Sequence, residues 1–199
     1  LNYNLTCENY IIENGIDLID LKLDINLVRQ QEQINFCILS RFDPHKNVTR
    51  SIELFHALSK TSCAYRLNIG GVGPEEMKLK EMIKELRIQD KVKFHGLITD
   101  TESFLKSQDF FISTSYGEGL PYTVLEAMKF GVIPILSNVS GHKDILPTEY
   151  LFNLKNEDEF LKKVINLKDF KKHNFSQILM HKFDIHKQLE KVVRLYEQL

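Results

Sequence analysis

At 199 residues, the chain has the size of a single domain with a substantial core. Its 43% hydrophobic and 27% charged content is that of an ordinary globular protein, and a net charge of −1 gives no field to attract nucleic acid. No apolar run approaches the ~20 residues of a membrane span, no signal peptide is visible, and three cysteines (Cys7, Cys37, Cys63) without a CxxC pair suit reduced core thiols in the cytoplasm.

Residues 1–33 read as an inter-domain linker with a weak first strand around 10–17. Residues 34–39 form a continuous apolar run, which predicts a buried strand rather than an edge facing water. Val48, Ile52, Phe55 and Leu58 then recur at helical spacing. A second strand over 65–69 ends in Gly70, Gly71, Val72, Gly73 and Pro74, with Pro74 opening a helix that carries Leu79, Met82, Ile83 and Leu86. A third strand is predicted over 92–94, a short helix over 101–106 and a fourth strand over 110–112. A helix over 121–130, with Pro121 as its first residue, leads to a fifth strand over 132–136 and a weaker sixth over 150–154. Beyond 156 the chain is charged and helical, and Ile185, Leu189, Val192, Val193 and Tyr196 line one face of the last helix. Alternating strands and helices imply parallel pairing through right-handed crossovers. The expected architecture is therefore a Rossmann-like, doubly wound α/β sheet over 34–182, followed by a C-terminal helix over 183–199.

Sheets of this kind bind ligands at the carboxyl ends of their strands, and the unusual residues lie there. Arg41 and Lys46 stand five residues apart between a strand end and a helix start. Helix N-termini attract anions, and a bidentate donor beside a point charge suits a diphosphate. Taken alone, the two cations read more simply as solvated surface charges. Gly71 and Gly73 would let backbone approach a ligand, although a tight turn explains them equally well. More informative is the loop after the fourth strand, where Glu118 is flanked by Gly117 and Gly119, and Glu126 follows ~8 Å along the next helix. Two carboxylates so placed can meet sugar hydroxyls at one end and ribose hydroxyls at the other, with a diphosphate at the helix N-terminus between them.

These residues resemble the C-terminal domain of the family 4 retaining glycosyltransferases, whose E-x7-E motif matches Glu118 and Glu126. Asn14, Gly15, Ile16 and Asp17 match the family's NGID, and Ser40, Arg41 and Lys46 are similar to G-R-x4-K with serine for glycine. Gly71 to Pro74 match G-x-G-P, and Val92, Phe94 and Gly96 match V-x-F-x-G. Ser140, Gly141, Asp144 and Ile145 match the closing G-G-x-x-E-I segment, with Ser140 and Asp144 as departures. The resemblance runs over residues 10–150, in the family's order and spacing.

That resemblance implies the donor half of a GT-B fold and a retaining hexosyltransferase. The enzyme would move a hexose or N-acetylhexosamine from a nucleotide sugar, foremost a UDP-sugar, to a saccharide or lipid-linked acceptor in surface polysaccharide or O-antigen assembly. Arg41 and Lys46 would hold the diphosphate and act in catalysis with Glu118, which faces the transferred sugar, while Glu126 binds the ribose. Gly71, Gly73, Gly119, Leu120, Pro121, Tyr122 and Thr123 complete the expected donor contacts, and Leu97 flanks the base. No D-x-D occurs in the chain, so cations and a helix dipole are expected in place of a metal, with no cofactor. Seven scattered histidines read as surface or packing residues. The family's N-terminal domain carries much of the acceptor site and is not encoded here. The chain is thus expected to bind donor without transferring sugar, as a fragment or split half of an enzyme peripherally associated with the inner membrane face. A GT-B epimerase or phosphorylase, or a non-catalytic nucleotide-sugar-binding module, are the other readings.

Overall fold

In a computed structural model, which describes residues 12, 14–18, 33–168 and 175–197, six strands form one parallel sheet. They are β1 (Ile34–Leu39), β2 (Tyr65–Gly70), β3 (Val92–Gly96), β4 (Phe110–Ser113), β5 (Ile133–Ser137) and β6 (Leu151–Phe152), in the spatial order β3-β2-β1-β4-β5-β6. Helices α1 (Val48–Ser59), α2 (Glu76–Glu85), α3 (Thr101–Lys106), α4 (Tyr122–Lys129) and α5 (His142–Ile145) each follow one of the first five strands. The chain continues through α6 (Glu157–Lys168), α7 (Ser176–Lys182) and α8 (Ile185–Glu197). This is the doubly wound order, and its reversal lies between β1 and β4.

Burial explains the apolar runs. Residues 36–39 are all buried, because strands covered by helices on both faces have no polar side. Val48, Ile52, Phe55 and Leu58 form the buried stripe of α1. Phe36 anchors the centre, with its ring 6.0 Å from Phe55, 5.4 Å from Tyr65 and 4.9 Å from Phe110.

Several sequence readings shift. Pro121 is extended (φ −77°, ψ 91°) and its carbonyl accepts the N–H groups of Val124 and Leu125, so it is the N-cap of α4 rather than its first residue. Pro74 and Glu75 form a turn before α2, held by Glu75 N–H donating to the Phe42 carbonyl at 3.1 Å. The sixth strand shrinks to two residues, since Thr148–Tyr150 form a 3-10 turn after Pro147. Cys37 is a buried core thiol as expected, but Cys63 is exposed in the turn before β2, and Cys7 lies outside the described residues. In α8 only Gln188 is buried; Leu189 and Val193 are exposed, so its apolar face adds nothing to this core.

Most of the segment 1–33 lies outside the described residues. Its described part is strapped to the far end of the chain: Ile16 donates its N–H to Phe183 at 2.8 Å and accepts from Ile185 at 3.2 Å. A Cβ on Gly15 would fall 2.7 Å from the Ile185 backbone, which explains a glycine there. No helix among the described residues is long and apolar enough to cross a membrane.

Candidate functional site

The two central strands pair with each other only at Phe36–Phe110 and Cys37–Phe111, and each then runs on for two residues unpaired to the other. β1 stays with β2 while β4 stays with β5, so a crevice opens at the carboxyl edge. At its base is a cavity of about 20 Å³ lined by Ser40, Lys46, Ser113, Ser115 and Glu118 among others. It has room for one water molecule at most, so a larger ligand would lie above it, on the open side. Ser40 Oγ is buried there without a hydrogen-bond partner among the described residues.

Above the cavity the loops after β1 and β4 are joined. Lys46 Nζ lies 2.8 Å from both Glu118 oxygens. His45 bonds the Gly117 carbonyl through Nε2 at 2.6 Å, and its own carbonyl accepts Tyr116 N–H. Asn47 takes a left-handed conformation (φ 51°), which lets its side chain donate to the Thr114 carbonyl while Thr114 Oγ1 donates back to the Asn47 carbonyl at 2.7 Å. Glu118 is also fixed through its backbone, since its N–H donates to the Ser140 carbonyl and its own carbonyl packs on Gly141. Burial pushes the Glu118 carboxyl up, but hydrogen bonds from Lys46 and Ser115, with the charge of Lys46, outweigh it and hold the pKa below the ordinary range.

Arg41 behaves differently from Lys46. Its side chain is 74% exposed, and Nε donates to Asp43 at 2.9 Å, which leaves the outer guanidinium nitrogens facing solvent. The other Asp43 oxygen accepts the backbone N–H groups of His45 and Lys46 at 3.0 and 3.2 Å. One carboxylate therefore shapes the whole cation loop. Burial raises the Asp43 pKa, but Arg41 and these N–H groups bring it below the usual carboxylate value. Sequence reading passed over Asp43; its position two residues from an arginine, before a proline, was the available signal.

Glu126 is half-buried on α4, and no hydrogen bond or ion pair reaches its side chain among the described residues. Burial pushes its carboxyl up, opposed only by the charge of Lys129. It thus differs from the partnered Glu118, although both were predicted from one motif. Gly71 N–H donates to Gly96 and Gly73 packs on the Phe42 backbone, so both glycines serve the packing of neighbouring loops. Gly119 has open space above it, Tyr122 is exposed, Thr123 lines the cavity, Leu120 is half-buried and Pro121 is buried. Leu97, 69% exposed after β3, stands three strands from Glu118 along the carboxyl edge.

A second residue whose place beside the site was missed from sequence is His142, which was read with the other histidines as a surface or packing residue. It is fully buried, with Nδ1 donating to the Ser137 carbonyl at 2.9 Å, while Nε2 has no partner among the described residues. Ser137 Oγ in turn donates to the Ser115 carbonyl, tying α5 to the Glu118 loop. Burial depresses the His142 pKa, with smaller opposing influences from Ser137 and Glu118. Among the described residues, no group of three His, Cys, Asp or Glu side chains could hold a metal ion.

Comparison with known proteins adds independent findings. The family model described as glycosyl transferases group 1 matches residues 22–197. Alpha-monoglucosyldiacylglycerol synthase from Streptococcus pneumoniae is 28% identical over 89% of this chain and 44% of its own length. An Escherichia coli UDP-Gal:alpha-D-GlcNAc-diphosphoundecaprenol alpha-1,3-galactosyltransferase is 25% identical over 94% of this chain and 53% of its own. The chain thus spans about half the length of these relatives. Among solved structures, Anabaena Alr3699/HepE in complex with UDP-glucose superposes with a TM-score of 0.80 at 20% identity, covering 96% of this chain and 57% of that one. The likeness shows a shared GT-B half.

Proposed function

The chain belongs to the glycosyl transferases group 1 family, and from that premise we propose that it is the nucleotide-sugar-binding half of a retaining hexosyltransferase whose donor is a UDP-sugar. The observation that carries this reading is the β1/β4 crevice, where Lys46 and Glu118 meet at the N-terminal end of α4 while Glu126 stands unpaired farther along it. Arg41 and Lys46 would take the diphosphate, aided by the free N–H groups that open α4. Glu126 would accept hydroxyls from the ribose, and Glu118 hydroxyls from the transferred sugar.

The reaction needs charge on the departing diphosphate to be stabilised as the glycosidic bond breaks, and the sugar passes through an oxocarbenium-like state. The two cations supply that stabilisation in place of a metal. Glu118 orients the sugar beside them. Two of the relatives are named for lipid or lipid-linked molecules, which supports a lipid-linked or saccharide acceptor for the whole protein. Surface-polysaccharide assembly at the inner membrane face belongs to the same proposal. The acceptor would be met outside this chain.

Calorimetric titration with UDP and uridine tests the assignment. Arg41→Ala or Lys46→Ala should weaken UDP binding by about 1–3 kcal/mol, the range for charge-assisted hydrogen bonds, and leave uridine little changed. Glu126→Gln should weaken both ligands, since both contain ribose. Equal losses of UDP and uridine for the cation variants would show that the phosphates lie elsewhere.

A further inference from the structure

Lys46, the cation proposed for the diphosphate, is already held by the carboxylate proposed for the sugar. Both Glu118 oxygens lie 2.8 Å from its ammonium. The contact is sheltered: the Lys46 and Glu118 side chains are 29% and 12% exposed, whereas Arg41 in the neighbouring pair is 74% exposed. Solvent therefore weakens it less than an ordinary surface pair. Nor can Glu118 easily swing aside, because its backbone is tied to Ser140 and packed on Gly141.

We propose that Glu118 makes this site distinguish a nucleoside diphosphate sugar from the bare nucleoside diphosphate left once the sugar has gone. The inference rests on the donor-site reading above. A terminal phosphate carries about −1.5 to −2 charge at neutral pH, whereas a phosphate esterified on both sides carries one negative charge. The bare diphosphate thus brings more charge toward a fixed carboxylate and competes with it for the same ammonium. Like charges drawn to one ammonium in a sheltered crevice repel. A nucleotide sugar brings less charge and also supplies hydroxyls that donate to Glu118 as Lys46 turns to the phosphate. The same side chain therefore favours substrate and opposes retention of product, discrimination by repulsion as well as by attraction. Retained product is a common limit on turnover, so this repulsion would speed release.

On the sugar-orienting role alone, Glu118→Gln should leave the affinity for UDP nearly unchanged. With the ion pair it should raise it. The experiment titrates the 199-residue chain with UDP, GDP and ADP and with the glucose conjugate of each, and uses whichever pair binds the wild type. Glu118→Gln is expected to tighten the nucleoside diphosphate about fivefold or more and to weaken its glucose conjugate, reversing the wild-type preference. Glu118→Ala, which also removes the charge, should tighten the diphosphate in the same direction, and circular dichroism establishes that each variant is folded. An unchanged or weaker diphosphate affinity in both variants overturns the proposal. Lys46→Met reports on the underlying reading: loss of diphosphate affinity upholds the donor site whatever Glu118 does. No loss, or no binding by the wild type, overturns both.

Discussion

Replacing Gly71 by alanine probes how closely the cation loop is packed on the turn after β2. Gly71 has φ +134°, a conformation that residues with a Cβ rarely adopt, and its Cβ would lie 1.8 Å from the Ser40 carbonyl oxygen and 3.1 Å from the Phe42 ring. Neither obstacle is the flexible tip of a side chain that could turn away. Relief requires the ends of β1 and β2 to separate, against the hydrogen bonds from Ser40 N–H to the Gly70 carbonyl and from Phe42 N–H to the Val72 carbonyl at 3.2 and 3.0 Å. Backbone strain of this kind is worth about 1–3 kcal/mol, and forced overpacking about 1–3 more, so ~4 kcal/mol is the expected loss. For a domain of this size that lowers Tm by roughly 8–16 °C. Urea and thermal unfolding followed by circular dichroism measure it. A loss below ~1 kcal/mol would refute the argument, because two loops so close cannot admit a methyl group at that cost unless they are separable.

Gly119→Ala gives the contrasting case: no atom lies within 4 Å of its Cβ, so stability should stay within about 0.5 kcal/mol while UDP-glucose binding weakens, and unchanged binding would remove Gly119 from the donor contacts. Asp43→Ala should cost about 1 kcal/mol of stability and weaken UDP about threefold to tenfold, because Arg41 and the His45 and Lys46 N–H groups lose a shared acceptor. Asp43→Asn, which keeps an acceptor for the N–H groups, should fall between, and UDP binding at wild-type strength in both would sink the orienting role. The His142 pKa lies below its ordinary 6.5, so the stability it contributes is complete above pH 6.5 and is lost as the pH falls toward the depressed value. His56 and His95 shift the same way, so His142→Gln should reduce, not abolish, the loss of urea stability between pH 7 and 5; an identical pH slope in wild type and variant would contradict it.

Sequence periodicity was sufficient for the sheet because burial leaves a one-dimensional trace. A strand covered on both faces must be apolar throughout, as at residues 36–39, and a helix lying on it must repeat its apolar residues, as at Val48, Ile52, Phe55 and Leu58. The glycine-framed Glu118 and the cations Arg41 and Lys46 were legible for a related reason: a doubly wound sheet sends each strand end into a loop at one edge. Which of those loops touch depends on the strand order, and that is a property of the folded sheet. Lys46 and Glu118 are 72 residues apart in the chain and meet because β1 and β4 are neighbours. The different surroundings of Glu118 and Glu126 escape the motif that contains them both, since one carboxylate meets an ammonium and the other only partial burial. His142 and Asp43 are likewise ordinary polar residues on paper. The bonds of Asp43 are local, to N–H groups two and three residues on, and its place before a proline hints at them. What singles out His142 is full burial against the Ser137 carbonyl, which exists only once the chain is packed.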